Sequence, residues 1–250
     1  METPAKRTLS IDLGRLERSG IFTPESRNYQ LAEELRVIKR RLLINAAGLG
    51  DMPIEHGNLI MVTSSTPGEG KTFIASNLAI SIEMEIDHTV LLVDADAARA
   101  GTSHVFGVES ELGLSDLLMR SDLDVSDVLI NTDIDDLAIL PAGSRTAGLN
   151  EQLASKKMNR LMKELCTRYE DRIIVLDSPP LLATTEASVL ARLAGQIVVV
   201  AASGQTTNSD LISALEQLDL SKVAGIVLNK SEDQVETAYY GSYYGSGARS

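Results

Sequence analysis

The chain has 250 residues, 44% of them hydrophobic, and a formal net charge of −12 at pH 7. This length predicts one α/β domain with a sizeable core and short extensions, and the acidity argues against a general binder of nucleic acid or of anionic lipid surfaces. The single cysteine, Cys166, excludes an intrachain disulfide and favours a reducing, cytosolic compartment. No apolar run approaches the roughly 18 residues that cross a bilayer, and METPAKRTLSIDLGRL has no apolar signal core.

The pattern along the chain predicts three regions. Residues 1–57 are expected to form an N-terminal arm, extended to about residue 27, then a helix over 28–47 and a link; this region is a candidate for oligomerisation. Residues 58–230 are expected to form a phosphate-loop domain. Residues 231–250 break the pattern and are expected to be a flexible, disordered tail.

Apolar runs alternate with helical segments across the central region. Continuous apolar runs are typical of strands covered on both faces, and their alternation with helices predicts a doubly wound, mostly parallel α/β sheet. Right-handed crossovers bring the carboxyl ends of the strands to one edge, where ligands bind. The predicted strands are 59–63, 89–94, 137–140, 172–177, 196–202 and 225–229, and the predicted helices are 72–85, 113–119, 150–169, 184–194 and 209–218.

The strand LIMVT continues directly into SSTPGEGKT, a phosphate-loop pattern in which Ser65 stands where the pattern has glycine. Glycines let successive backbone N–H groups approach phosphate oxygens, and the following helix adds its positive end. Lys71 can reach the β- and γ-phosphates, and the Thr72 hydroxyl can ligate Mg²⁺. The alternative is a glycine-rich turn with no special chemistry. The predicted nucleotide-binding residues are Pro67, Gly68, Glu69, Gly70, Lys71, Thr72, Phe73 and Asn229.

Two more predicted strands end in carboxylates, LLVDAD with Asp94 and Asp96 and IIVLDSPP with Asp177. Mg²⁺ bound to phosphates needs one or two such carboxylates, and transfer to a hydroxyl needs a proton acceptor. Asp94 and Asp177 are predicted on the metal side, and Asp96 in a supporting or metal role. The alternative is that they are strand-end caps. Asn229 ends GIVLN, where it either reads the adenine edge or is a turn residue.

The tail YYGSYYGSGARS holds four of the six tyrosines, Tyr239, Tyr240, Tyr243 and Tyr244. A flexible chain of about twenty residues spans tens of ångströms, which is enough for a tyrosine to reach a neighbouring subunit's active site. The tail is therefore predicted to be the phosphate acceptor. The alternative is a linker or an aromatic segment that docks on a partner. Tyr29 falls in a predicted helix and is expected to pack there.

Together these motifs resemble the bacterial tyrosine kinases of exopolysaccharide systems over most of the chain. SSTPGEGKT resembles their Walker A loop with its Pro-Gly-Glu-Gly-Lys core, LLVDAD their Walker A′ motif, and IIVLDSPP their Walker B motif. A narrower resemblance is to the autokinase encoded with exosortase-linked, PEP-CTERM-type exopolysaccharide loci. It rests on the segments FTPESRNYQLAEELRVIKR, LPAG, DSPPLLATTEA and GIVLNKS.

The resemblance implies a phosphate-loop fold of the MinD/ParA type and an ATP-dependent tyrosine autokinase that phosphorylates its tail, in trans, and regulates exopolysaccharide biosynthesis or export. Lys71, Asp94 and Asp96 would be catalytic, and Thr72, Asp94 and Asp177 would hold Mg²⁺. The implied partners are ATP, a membrane chain-length-determinant (Wzz-like) activator, further copies of the chain in a ring, and a tyrosine phosphatase, with no nucleic acid. The implied location is cytoplasmic, at the inner face of the cell membrane through a partner.

The chain departs from the family at two places. The second acidic motif commonly runs Asp-x-Asp-x-Arg, but here Ala98 takes the arginine position and Arg99 follows. Either Arg99 substitutes or the contact is absent. The ring-forming Glu-x-x-Arg-x-x-Arg appears as Glu33, Arg36 and Lys39, and a lysine lacks the planar fork of arginine. The alternative for these three is a solvated helix face.

Two rival functions share the motifs. A septum- or partition-type ATPase switch needs no tyrosine tail, and such ATPases usually carry a second lysine early in the phosphate loop; SSTPGEGKT has none before Lys71. A non-catalytic, nucleotide-dependent scaffold is the other rival, and the displaced Arg99 leaves room for it.

Overall fold

The computed structural model describes residues 8–23, 28–50, 52–145, 149–168 and 171–231. The predicted acceptors Tyr239, Tyr240, Tyr243 and Tyr244 lie outside these ranges, as do residues 232–250 of the tail predicted to be disordered. Within the described ranges, no helix has the length and apolar character needed to cross a bilayer.

One eight-stranded sheet organises the molecule, in the order β1-β4-β5-β3-β6-β2-β7-β8. Every neighbouring pair is parallel except β4 and β5, so the predicted doubly wound sheet is confirmed. The two strands missed from the sequence, β1 and β4, are too short to leave an apolar pattern. The strands are β1 Thr8–Leu9, β2 Leu59–Ser64, β3 Thr89–Asp94, β4 Ile130–Thr132, β5 Leu137–Leu140, β6 Arg172–Asp177, β7 Gln196–Ala202 and β8 Val223–Asn229.

Ten helices connect the strands within the described ranges, together with a short 3-10 helix at Leu220–Lys222. The single helix predicted over 150–169 is two helices, because the Ser155 hydroxyl accepts hydrogen bonds from the N–H groups of Lys157 and Met158, both at 3.2 Å, and so starts a new one. The helices are α1 Leu13–Arg18, α2 Tyr29–Ala46, α3 Lys71–Glu83, α4 Gly101–Phe106, α5 Leu114–Met119, α6 Val125–Val128, α7 Leu149–Leu153, α8 Lys156–Arg168, α9 Glu186–Leu193 and α10 Asn208–Leu215.

The core has two apolar layers, one on each face of the sheet. Alternate residues of β2 point to opposite faces, with Leu59 and Met61 in one layer and Ile60 and Val62 in the other. Helices α1 to α4 contribute to the second layer, and α5 to α10 to the first. All six residues of β2 are buried, as a strand covered on both faces requires, and this strand carries the phosphate loop at its end.

The N-terminal region is more integrated than an extended arm. Strand β1 pairs with β4, and helix α1 buries Leu16 completely. The prediction of extended chain is therefore wrong for residues 8–23, whose apolar side chains fill the layer beside α3. Helix α2 forms as predicted and buries Leu35 and Leu42, but Tyr29 at its start is 78% exposed and does not pack.

Candidate active site

The phosphate loop joins β2 to α3 and depends on two glycines. Gly68 and Gly70 have φ angles of 92° and 100°, in the region that side chains with a Cβ rarely adopt. A Cβ on Gly70 would also lie only 2.0 Å from Asn229 Nδ2. The loop therefore needs glycine at this position for both conformation and space. Helix α3 starts at Lys71 immediately after it and directs its N-terminal dipole to the loop.

Internal hydrogen bonds hold the loop in shape. The buried Glu69 carboxylate accepts from the Thr66 N–H at 2.9 Å and from the hydroxyls of Thr66 and Thr206. From the end of β8, Asn229 Nδ2 donates to the Glu69 carbonyl at 2.9 Å and Lys230 Nζ donates to the Gly68 carbonyl at 2.7 Å. Asn229 thus braces the loop in this structure, and its predicted contact with adenine stays a prediction.

The predicted catalytic groups meet at the carboxyl edge of the sheet. Asp94 and Asp177 are directly opposite each other in the paired strands β3 and β6, and both are fully buried. Lys71 Nζ lies 2.8 Å from Asp96 Oδ2, and the Thr72 hydroxyl donates to Asp177 Oδ2 at 2.8 Å. The tertiary structure therefore brings together all five of these residues, which come from three separate stretches of the sequence.

Two hydroxyl residues of helix α4 belong to the same cluster and were missed from the sequence. The Thr102 hydroxyl donates to Asp177 Oδ2 at 2.8 Å. The N–H and hydroxyl of Ser103 both donate to Asp94 Oδ2, each at 2.7 Å. The sequence offered one signal for them: Thr102 and Ser103 are polar residues that follow the Asp94–Asp96 motif by a few positions, in a segment with no other evident role.

Burial changes the acidity of the two central carboxylates. It raises the pKa of Asp94 to about 7, and the Asp177 carboxylate adds to the rise while hydrogen bonds from Ser103 oppose it. Burial raises the pKa of Asp177 too, against the Lys71 ammonium and the hydroxyls of Thr72 and Thr102. Several carboxylates share this buried site with a single lysine, so their negative charge is only partly compensated. Such a site favours the binding of an additional cation.

The donor set fits Mg²⁺ as the accompanying ion. Asp177 Oδ1 is buried and has no hydrogen-bond partner in the described part of the chain, so one oxygen remains for a ligand. The described residues contain no group of three or more His, Cys, Asp or Glu side chains arranged to hold a metal. Mg²⁺ is suited to such a sparse set because it keeps several waters and binds phosphate oxygens besides one or two carboxylates.

The remaining predicted positions lie at the rim of the site or outside it. Pro67 is exposed and Phe73 is half-buried; the Phe73 ring lies beside Gly20, 3.3 Å from where a Cβ would stand. Ala98 and Arg99 are both exposed. The Arg99 N–H donates to Asp96 Oδ1 at 3.2 Å, so the backbone of this residue, rather than its guanidinium, touches the acidic motif.

The predicted oligomer residues on α2 divide into two kinds. Glu33 and Arg36 are exposed and pair with each other at 2.6 Å. Lys39 is buried; its Nζ donates to the Ser81 carbonyl at 2.6 Å and lies 2.6 Å from Glu85 Oε1. In this chain the Lys39 ammonium therefore closes the end of the phosphate-loop helix α3, and its predicted role in an oligomer contact stays a prediction.

Comparisons with known proteins identify the family to which the chain belongs. Residues 57–234 match the family described as an AAA domain. The tyrosine-protein kinase YwqD of Bacillus subtilis (strain 168) is 32% identical over 187 residues, which cover 73% of this chain and 77% of that protein. The tyrosine-protein kinase etk of Escherichia coli (strain K12) is 31% identical over 184 residues, which cover 73% of this chain and 25% of that protein. This chain thus spans only a quarter of the length of the longer relatives.

Solved structures of a tyrosine kinase domain and of a related ATPase also resemble this chain. The kinase domain of the Escherichia coli tyrosine kinase ETK superposes with a TM-score of 0.71 at 27% identity, covering 83% of this chain and 78% of that one. The septum site-determining protein MinD of Pyrococcus horikoshii OT3, complexed with Mg-ADP, superposes with a TM-score of 0.55 at 25% identity, covering 69% of this chain and 71% of that one. The chain belongs to the bacterial tyrosine-protein kinase family, a branch of the phosphate-loop ATPases.

Proposed function

We propose that this protein transfers the γ-phosphoryl group of ATP to the tyrosines of its own C-terminal tail, and that it does so between subunits. The observation that carries the proposal is the buried cluster of Lys71, Asp96, Asp94 and Asp177 beside a glycine-dependent phosphate loop. In the same chain, Tyr239, Tyr240, Tyr243 and Tyr244 supply the acceptor hydroxyls.

In the transfer, the tyrosine oxygen forms a bond to the γ-phosphorus, the bond to the β-phosphate oxygen breaks, and ADP leaves. Backbone N–H groups of the loop and the Lys71 ammonium hold the phosphates in line, which is the main contribution a protein makes to this reaction. Thr72, Asp94 and Asp177 would hold Mg²⁺, which would supply positive charge to the developing phosphate oxygens.

Asp94 is our candidate for the group that accepts the tyrosine proton. Its carboxylate lies at the carboxyl edge of the sheet, directly opposite Asp177 and beside the phosphate loop, where a tyrosine hydroxyl in line with the γ-phosphate would approach it. The hydrogen bonds from Ser103 fix the orientation of the carboxylate. Asp96 acts on the same site by holding Lys71 close to the phosphates.

The biological role we propose is regulation of exopolysaccharide biosynthesis or export. Support comes from relatives such as the putative tyrosine-protein kinase EpsB of Ralstonia nicotianae, which is 32% identical over 192 residues, and from the resemblance to the kinases of these systems. The chain would act in the cytoplasm at the inner face of the membrane, recruited by a Wzz-like activator. The proposal also includes a ring of copies of the chain and a tyrosine phosphatase. Each added phosphate carries about 1.5 to 2 negative charges, so phosphorylation would make neighbouring acidic subunits of the ring repel one another.

Incubation of the purified chain with Mg-ATP, followed by mass spectrometric mapping of phosphate, tests the proposal. We expect phosphotyrosine at residues 239–244. Mixing a Lys71→Met chain with a tail-truncated active chain tests transfer between subunits, since phosphate should then appear on the Lys71→Met chain. No phosphotyrosine at these positions, with and without a candidate activator, would refute the proposal. Steady ATP hydrolysis without transfer would favour the ATPase switch, and full biological function of Lys71→Met would favour the scaffold.

A further inference from the structure

A second concave surface lies at the opposite edge of the sheet from the phosphate loop. Its cavity has a volume of about 890 Å³, within the size range of small-ligand sites. Three walls are the links that precede β2, β7 and β8, and the fourth is the first half of α8. We call this surface the basic groove and define it by Lys156, Arg160, Lys163, Arg192 and Lys222.

The charge of the basic groove is opposite to that of the chain. Five of its lining residues are Lys or Arg and only Glu55 is acidic, although the whole chain has 35 acidic and 23 basic residues. Among the described residues, no ion pair joins any of the five cations to a carboxylate. Unpaired like charges held together in a concave surface attract an anion.

The floor of the basic groove is closely packed backbone. A Cβ on Gly195 would lie 2.1 Å from the His56 carbonyl oxygen, and the Gly195 N–H donates to the Leu59 carbonyl at 3.1 Å. Lys222 Nζ donates to the carbonyls of Arg192 and Ala194 at 2.8 and 2.9 Å and thereby closes the end of α9. The groove is therefore held by fixed contacts between the links and is a formed site.

Apolar side chains lie beside the cations. Ile54, Met162 and Leu193 all line the cavity, so an occupant with an anionic group on an apolar body fits better than a bare ion. Arginine binds phosphate oxygens through two parallel N–H groups, and Arg160 and Arg192 are both exposed here. A phosphate ester of an aromatic ring has both features.

We propose that the basic groove binds the phosphotyrosines of the chain's own tail. The kinase family to which the chain belongs forms phosphotyrosine, so the ligand needs no other source. The inference rests on the proposed function, because the tail must be the phosphate acceptor. Each phosphate carries about 1.5 to 2 negative charges, so two or three of them match the five cations. The unphosphorylated tail lacks this charge and is not bound.

The tail is long enough to reach the basic groove of its own subunit. Strand β8 has seven residues, so its end at Asn229 is about 23 Å from its start beside Lys222, at roughly 3.3 Å per residue. From residue 232, an extended chain spans about 26 Å to Tyr239 and about 43 Å to Tyr244. Attachment to the same chain raises the local concentration of the phosphotyrosines to the millimolar range. The groove thus removes the product from the phosphate loop.

Binding of a synthetic peptide to the dephosphorylated full chain tests this inference. The peptide is ETAYYGSYYGSGARS with all four tyrosines phosphorylated, and its unphosphorylated form is the reference. Saturating Mg-ADP blocks the phosphate loop, so that any remaining binding is elsewhere. We expect the phosphorylated peptide to bind at least about tenfold more tightly than the reference, and to weaken as salt rises.

Two charge reversals locate the binding. Arg160→Glu with Lys163→Glu should weaken binding of the phosphorylated peptide at least about tenfold. Arg168→Glu, on the same helix but outside the groove, should change it less than about twofold. Equal binding of both peptides, or equal loss in the two variants, would overturn the inference. A third outcome would also overturn it: the chain binds vesicles that contain anionic lipid but does not bind the peptide, and the double variant loses the vesicle binding. The groove would then be a membrane contact. The peptide is synthetic, so a chain without tyrosine transfer would still answer this question.

Discussion

Lys71 Nζ lies 2.8 Å from Asp96 Oδ2, with both side chains almost fully buried. The lysine of the phosphate loop is thus held by the second acidic motif. A buried pair of this kind keeps the lysine side chain at the loop, and the removal of either partner leaves an uncompensated charge.

Replacement of Lys71 by methionine should therefore lower tyrosine transfer at least about 100-fold, because a charge that acts on the phosphates in the transition state is lost. Transfer from labelled ATP to the tail measures this. The unpaired Asp96 should also lower the midpoint of thermal unfolding without nucleotide. A Lys71→Met chain that transfers phosphate within about threefold of the parent rate would contradict the role of this lysine.

Replacement of Gly70 by alanine should weaken Mg-ADP binding by at least about tenfold, since the new Cβ would meet Asn229 Nδ2 at 2.0 Å and would strain a φ of 100°. Calorimetric titration with Mg-ADP gives the affinity. The matched control is Gly204→Ala, which has a φ of 69° and no atom within 4 Å of the new Cβ. If steric overlap dominates, adding Asn229→Ala to Gly70→Ala should restore part of the affinity; no recovery would assign the whole effect to backbone strain.

Replacement of Lys39 by methionine should reduce the free energy of unfolding by about 1 to 3 kcal/mol, because the Ser81 carbonyl and Glu85 lose their charged partner. Urea denaturation of the dilute, monomeric chain measures the loss. Arg40→Met, an exposed position one residue further along α2, should change stability by less than about 0.5 kcal/mol. Equal stability of the two variants would show that the contact of Lys39 with α3 contributes nothing in solution.

The stability of the chain should depend on pH through Glu83. Burial and the carboxylates of Asp135 and Asp136 raise the pKa of Glu83 to about 7. Because this pKa lies above the ordinary value of 4.5, the folded state favours the protonated acid, and stability falls as pH rises from about 4.5 through 7. Glu83→Gln should therefore exceed the parent in stability at pH 8, by less than about 1 kcal/mol because Glu83 is half-exposed.

The same comparison at pH 4.5 should show little or no gain for Glu83→Gln, since Glu83 is then protonated in the folded state and about half-protonated in the unfolded chain, so its ionisation costs the fold almost nothing. Glu151→Gln, at an exposed position on α7, provides the reference for the loss of a surface carboxylate. Thermal unfolding at a series of pH values gives both curves. A gain that is the same at pH 4.5 and pH 8 would exclude ionisation of Glu83 as its cause.

The sequence predicted the central strands and the phosphate loop because their signals are local. Runs such as LIMVT and QIVVVAA are buried on both faces and carry an apolar pattern over five to seven residues. It failed for β1 and β4, which have two and three residues and exist because a neighbouring strand pairs with them. It also failed for residues 8–23, where Leu16 is buried by contacts with distant segments.

By itself the sequence determined the strand–helix alternation, the glycines and lysine of the phosphate loop, and the carboxylates that follow two strands, because each depends on residues adjacent in the chain. Only the tertiary structure decided that Asn229 braces the loop, that Thr102 and Ser103 orient the carboxylates, that Lys39 turns inward to α3, and that five cations gather in one groove. The hydrogen bonds among these contacts join residues that are between 9 and 160 positions apart in the sequence. Their geometry follows from how the crossovers pack on the sheet.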